Sequence, residues 1–251
     1  MPYQPKFHIT PHLLEIIEEI SAYRQRIMTA TVQVPWVPIL QRDARTRTAH
    51  SSTAIEGNPL NLETVRALEE GRPVPGASER ARREIFNEFA ALRFVERHQG
   101  KKRIASTDLL RLHTILAAHV MDQGVAGRYR DLAVRVGAYL PPPANQVPGF
   151  MKEYLQWWND RATAWSPVIS SAILHYRFEE IHPFGDGNGR MGRAIALWEL
   201  YRRGFDTHHL FSVDEVYWEN RPRYYAQLDA VRRVNGDLTG WLEYTAEALH
   251  L

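Results

Sequence analysis

Apolar residues recur at three- and four-residue steps through most of this chain, the period of helices that each bury one face. Thr10-Pro11 reads as an N-cap with proline in the first turn. Behind it, Leu13, Leu14, Ile16, Ile17 and Ile20 predict a buried face on a helix running to about Ala30. Pro35 and Pro38 then break the chain. A second helix is expected from about Ile39 to Glu56, stopped by Gly57 with Asn58-Pro59 behind it. Asn61 caps a short helix that ends at Gly71. Ser78 opens another to about His98, and Ser106 caps the next, which carries Leu109, Leu110, Leu112, Ile115 and Leu116. Further helices are predicted over Pro148–Asp160, Pro167–Ile181, Gly189–Arg203, Val213–Asn220, Tyr224–Val234 and Leu238–Leu249. Ser212 and Glu215 form a capping box.

Two stretches depart from this period. Between Arg128 and Pro148 the alternation is partly of period two, which predicts a short β-hairpin flap and not a sheet. Arg72–Gly76, with Pro73 and Pro75, reads as a surface linker. It separates an N-terminal helical lobe, residues 1–76, from a main body, residues 77–251. The fold class is all-α.

Composition narrows the function. The chain has 251 residues, 44% hydrophobic and 24% charged, ordinary values for a globular protein large enough to bury a full core. It has no cysteine, which excludes disulfides, thiolate metal sites and a thiol nucleophile. Net charge is +2 and the charges are mixed, so no basic tract argues for nucleic acid. The first residues, MPYQPKFHIT, lack the apolar stretch of a signal peptide, and no window is apolar enough for a membrane span. The expected location is cytoplasmic.

The chemistry concentrates in Ile181–Arg193, I-H-P-F-G-D-G-N-G-R-M-G-R. An apolar helix ends at His182-Pro183, then Gly185, Gly187 and Gly189 lead into a new helix. A glycine-rich turn at a helix N-terminus turns several N–H groups and the positive end of the dipole toward one point, an anion site. Arg190 and Arg193 lie three apart on the new helix and can share a face beside it. Asp186 is an oxygen ligand suited to Mg²⁺ held jointly with phosphate oxygens. His182 is of the side-chain type that can take a proton from a hydroxyl. Each feature alone has a plainer reading: a helix-end histidine, a polar turn, a solvated arginine face. Phased together, they describe a phosphoryl-centred transfer site.

At these residues the chain resembles the Fic family, whose signature H-x-F-x-[D/E]-G-N-G-R-x-x-R is met at His182, Phe184, Asp186, Gly187, Asn188, Gly189, Arg190 and Arg193. Gly127–Arg130 with Val134 and Val136 is similar to the family's flap, and Tyr139–Pro143 to its tip. The resemblance implies a Fic-fold helical core from about residue 77. It also implies roles. His182 would deprotonate a Ser, Thr or Tyr hydroxyl on a target protein. Asp186 would hold Mg²⁺ against the phosphates of ATP. Asn188 and the backbone of Gly185, Gly187 and Gly189 would cradle the α-phosphate. Arg190 and Arg193 would grip the distal phosphates, and Tyr225 would lie beside the nucleoside. Phe184 would anchor the loop from inside. The implied reaction is AMP transfer, with pyrophosphate leaving. The related Doc branch carries Lys where this chain has Gly189, which argues against its phosphate transfer.

Upstream, Ser51–Gly57 resembles the family's inhibitory motif [S/T]-x-x-x-E-[G/N], with Ser52, Glu56 and Gly57 in register. Ser52 and Glu56 share a helix face, and Gly57 can end the helix in the left-handed conformation. A glutamate in the last turn meets the negative end of the dipole and is better tolerated facing a cation. The resemblance names that cation as Arg193 and places the chain with self-inhibited members, so residues 1–76 would be an inhibitory lobe. Such members often continue into a DNA-binding winged helix. This sequence ends at Leu251 after a single helix, so that module is either lacking or cut away, and no nucleic-acid contact is expected within this chain. His50, His113, His208 and His209 show no ligand spacing and read as structural or exposed. Trp157 and Trp158 read as core or target-facing. The expected partners are ATP and a hydroxyl-bearing protein, this chain itself among the candidates. Homo-oligomerisation is left open. Two other readings stay open: removal of AMP from a modified protein, and an ATP-sensing interaction module without turnover.

Overall fold

The computed structural model describes residues 3–29, 36–205 and 208–251. Its elements are α1 (Pro11–Thr29), α2 (Val37–Ile55), α3 (Leu62–Glu69), α4 (Glu79–His98), α5 (Ser106–Leu116), α6 (Val147–Asp160), α7 (Pro167–Ile181), α8 (Asn188–Arg202), α9 (Val213–Glu219), α10 (Arg221–Arg233) and α11 (Thr239–His250), with short 3₁₀ turns at Ala144–Gln146 and Ala162–Ala164. No strand forms among the described residues. The break expected at Pro35 and the end of α1 expected at Ala30 fall outside the described residues.

Local chemistry explains most helix starts. Thr10 Oγ1 accepts the Leu13 N–H, Asn61 Oδ1 that of Thr64, and Ser78 Oγ that of Ala81. Two expected caps are corrected. Ser106 lies inside α5, whose flanking residue is Ala105. The Asp108 carboxylate accepts the Ala105 N–H at 2.8 Å, while the Ser106 hydroxyl pairs with Tyr129 at 3.0 Å. At α9 no capping box forms, because Ser212 Oγ accepts from Thr48 and Glu215 pairs with Arg47 at 2.7 Å. Tertiary partners outcompete the local ones at both positions. On α1, Leu13, Ile16 and Ile20 are buried, but Leu14 faces outward at 49% exposure.

A hairpin of α7 and α8 forms the centre. Both helices are buried on nearly all sides, since neighbours surround them. Helices α6 and α11 cover α7, whereas α4, α5 and α2 flank α8. Trp158 and Trp198 meet edge to face at 5.8 Å within this core, and Trp157 is buried with them. Helix α2 lies between α4 and α9, with Ala49 and Ile55 fully buried in the same hydrophobic cluster as α7 and α8.

The region 128–148 differs from the expected hairpin. Its one β-bridge joins Val136 and Tyr139, and no ladder extends from it. Gly137 turns at φ +57°, and Pro141–Pro143 supply no N–H groups on the return side. Arg130 holds this flap instead. Its guanidinium donates to the carbonyls of Leu132, Pro142, Ile181 and His182.

Candidate active site

The junction of α7 and α8 builds the site. Helix α7 ends at His182, whose backbone is left-handed (φ +50°, ψ +61°) ahead of Pro183. That conformation costs a non-glycine residue roughly 1–3 kcal/mol and needs outside support. Arg130 gives it: its Nε donates to the His182 carbonyl at 2.8 Å, and its backbone N–H to that of Pro183 at 2.9 Å. The His182 side chain turns Nδ1 toward the Glu179 carboxylate at 3.6 Å, an ion-pair distance once the ring is protonated but too long for a hydrogen bond. Glu179 lies one turn earlier on the buried side of α7.

The loop after His182 is fixed from within. Phe184 is fully buried. Asn188 uses its whole amide on the Phe184 backbone, accepting its N–H and donating to its carbonyl, each at 2.9 Å. Its side chain therefore shapes the loop, which leaves the anion cradle to backbone groups. Gly185 lies so close to the next loop that an added Cβ would sit 2.7 Å from the Gln123 carbonyl. Gly187 is left-handed at φ +75° and begins α8, so the first-turn N–H groups of α8 converge at its N-terminus. Asp186 stands at this mouth. Its carboxylate accepts the N–H of Gly187 at 2.6 Å and of Asp122 at 3.1 Å.

His113 of α5, expected to be structural, supports this loop directly. Its ring lies flat on Phe184 (3.6 Å between centroids, 3° between planes), Nε2 meets the Asp186 carbonyl at 3.0 Å, and Nδ1 accepts the Gly127 N–H at 2.9 Å. Burial pulls its pKa down to about 4. The neutral ring has one bare nitrogen, here Nδ1, so the proton sits on Nε2. Sequence reasoning missed the positions of His113, Glu179 and Arg130. Only Glu179 carried a local signal, a carboxylate three residues before the histidine.

Arg190 and Arg193 both point inward, at 5% and 2% exposure. Arg193 reaches the C-terminal end of α2. Its Nε donates to Ser52 Oγ at 3.1 Å, and its Nη2 to the Ser52 carbonyl and Glu56 Oε1, each at 2.8 Å. Burial opposes the charge on Arg193, but Glu56, Tyr224 and Asp214 outweigh it and hold the guanidinium above its ordinary range. Gly57 turns left-handed at φ +99°. The N–H of Asn58 returns to Thr53 and that of Gly57 to Ala54, a Schellman ending that leaves Glu56 at the helix cap. Tyr225 donates its hydroxyl to the Ile55 carbonyl at 3.2 Å, beside the same helix end. Of the residues singled out in the sequence, Glu56, Asp186, Gly187 and Arg190 line one cleft, and Arg193 joins Ser52 and Glu56 beside it.

Below the arginines lie two buried acids. Burial pushes Glu88 up to about 7 against the pull of Arg190 and Arg193, and Asp214 up to about 6. Arg190 Nε and Arg193 Nη1 are buried without a partner, donors that suit an anion. No group of three or more His, Cys, Asp or Glu that could hold a metal exists among the described residues. One carboxylate at a phosphate cradle fits Mg²⁺, which commonly takes one or two protein carboxylates and completes its shell with phosphate and water. The cleft between Glu56, Arg80, Asp186 and Arg190 encloses about 120 Å³. Ligand pockets usually run to about 300–1,000 Å³.

The Fic/DOC family profile matches residues 103–200. The protein adenylyltransferase fic-1 of Caenorhabditis elegans is 35% identical over 203 residues, 79% of this chain and 38% of that protein. The protein adenylyltransferase Fic of Aedes aegypti is 29% identical over 211 residues, 82% of this chain and 40% of that protein. The chain therefore spans about two fifths of the length of these curated relatives. Among solved structures, a Fic family protein from Desulfovibrio desulfuricans G20 superposes with a TM-score of 0.87 at 34% identity, covering 99% of this chain and 74% of that one. Fic-1 (residues 134–508) from C. elegans superposes at 0.79 with 27% identity, covering 95% and 68%. No described helix is long and apolar enough to cross a membrane.

Proposed function

This chain belongs to the Fic family, and from that premise we propose that it transfers AMP from ATP to a hydroxyl of a protein, with Glu56 as its own brake. The Arg193–Glu56 ion pair at 2.8 Å, set beside His182 and the α8 N-terminus, carries this reading. The target hydroxyl oxygen attacks the α-phosphorus, the bond to pyrophosphate breaks, and His182 takes the hydroxyl proton. With Nδ1 turned to Glu179, Nε2 is the nitrogen that faces the substrate. Glu179 steadies the imidazolium that forms. Asp186 would hold Mg²⁺, which neutralises charge on the phosphates when bound. The N-terminal N–H groups of α8 receive the α-phosphate, and Arg190 and Arg193 the distal ones. Glu56 now holds Arg193, so a γ-phosphate must displace it.

The test is incorporation of label from α-labelled ATP into the chain and into candidate proteins. Wild type should be slow, Glu56→Gly faster by tenfold or more, and Glu56→Gly with His182→Ala inactive, since a general base contributes about 10²–10⁴-fold. A Glu56→Gly protein no faster than wild type removes the brake. A double variant that still labels removes His182 as base. Label lost from a pre-modified protein would instead support AMP removal.

A further inference from the structure

We propose that His113 is a positioning residue that locks the plane of the Asp186–Gly187 peptide and ties it to the base of the flap. The proposal rests on the assignment of Asp186 and the α8 N-terminus to phosphate and metal binding. The ring is fully buried and sandwiched by its contacts. Phe184 lies flat against one face, the Gly127 N–H enters at Nδ1, and Nε2–H leaves toward the Asp186 carbonyl. Because Nδ1 accepts, Nε2 must donate, so the ring has one way to fill the site. Among the described residues, no other donor reaches that carbonyl.

The lock has something to hold. Gly187 follows this peptide at φ +75°, and glycine tolerates both signs of φ. The peptide plane can therefore turn over at little steric cost. Turned over, it would point the Asp186 carbonyl into the anion site and withdraw the Gly187 N–H. In the observed orientation that N–H meets the Asp186 carboxylate at 2.6 Å, so one plane sets both the dipole at the cradle and the direction of the carboxylate. The other end of the lock is as rigid. Gly127 sits at φ +74°, and an added Cβ would meet Thr114 Oγ1 at 2.1 Å, so its N–H cannot easily be re-aimed. Helix α5 thereby joins the flap and the metal-bearing turn through one imidazole.

Three substitutions separate positioning from packing. His113→Phe keeps a flat ring on Phe184 and loses both hydrogen bonds. His113→Gln places an amide donor near the Nε2 position, and His113→Asn places a polar group near Nδ1 only. In nucleotide-free protein, amide hydrogen exchange at Gly187 should quicken in the Phe and Asn variants and return toward wild type in Gln. In the Glu56→Gly background, Mg²⁺-dependent ATP binding by calorimetry should weaken about tenfold in Phe and Asn, the worth of one hydrogen bond, and recover in Gln. Wild-type exchange and affinity in His113→Phe, or equal losses in Gln and Asn, would overturn the proposal. Should Phe fail to fold, the Gln–Asn contrast decides. The exchange readout needs no nucleotide, so it stands even if Glu56→Gly transfers no AMP.

Discussion

Gly189 faces two demands at once. It belongs to the first turn of α8, where the proposed phosphate site needs close approach of the backbone, and Glu56 already lies against it. A Cβ built there would stand 2.1 Å from Glu56 Oε1 and 3.2 Å from Arg193 Nη1. Alanine is an excellent helix residue, so the helix itself would accept it. The ion pair would not. We predict that Gly189→Ala uncouples Glu56 from Arg193, read by a double-mutant cycle in urea unfolding. In wild type, Glu56→Gln should cost no more than about 1 kcal/mol, because Glu56 is 37% exposed and solvent screens the pair. In the Gly189→Ala background the same change should cost nothing. An equal cost in both backgrounds would show that the methyl group is accommodated without moving Glu56.

The flap and α7 show what an element gains from a single cross-link. Helix α7 ends in a strained residue, the flap has one β-bridge, and Arg130 serves both by filling carbonyls on each side. Arg130→Met keeps the aliphatic stem and removes the donors. The variant should keep its far-UV dichroism but lose about 1–3 kcal/mol, since buried carbonyls are left unpaired. Transfer should fall by up to about 10²-fold, the scale expected when a reacting group is misplaced by an ångström. Undiminished transfer would remove Arg130 from the support of His182. Arg130 also marks the limit of what the sequence discloses. The motif His182–Arg193 is legible because its members are contiguous and phased, and Ser52–Gly57 for the same reason. His113 and Glu88 stand alone among ordinary helical neighbours and Arg130 among ordinary flap residues, and folding alone brings them to the site. The Ser106 and Ser212 caps failed for a related reason: Tyr129 and Thr48 are distant partners that local pattern does not reveal.

Across the whole molecule, the core is more than apolar. Glu88 of α4, 1% exposed, faces Arg190, Arg193, Asp214 and Ser52 from α8, α9 and α2. Burial raises its pKa to about 7, so the folded state holds a proton that the unfolded chain releases near pH 4.5. Stability from this group is therefore fully present below that pH and is lost as pH rises through about 7. His113 and His175, pulled down by burial to about 4 and about 3, act in the opposite sense, gaining stability as pH rises toward 6.5. Wild type alone would blend the two. Glu88→Gln isolates the first. Its midpoint of thermal unfolding, compared with wild type, should climb from pH 5 to pH 8, by an amount equivalent to at most about 3 kcal/mol. A difference that stays constant over that range would show that Glu88 does not titrate on folding.

The placement of α2 has a kinetic consequence. Its last turn and a half, Ser51–Ile55, is buried between α4 and α9, and Ile55 belongs to the main hydrophobic cluster. Swinging that helix away would open the core, an event of microseconds to seconds, whereas a partly exposed side chain changes rotamer in picoseconds to nanoseconds. Withdrawal of the Glu56 carboxylate from Arg193 by side-chain rotation, with the Ser52 contacts kept, is therefore the faster route by orders of magnitude. On that route, mixing enzyme with ATP in a stopped-flow instrument should give product formation without a lag, and crosslinking α2 to α4 should leave the initial rate unaltered. A lag abolished by Glu56→Gly would mean that the whole helix has to move. Without one, the brake behaves as a rapid pre-equilibrium, set at every instant by nucleotide concentration and holding no memory of earlier exposure.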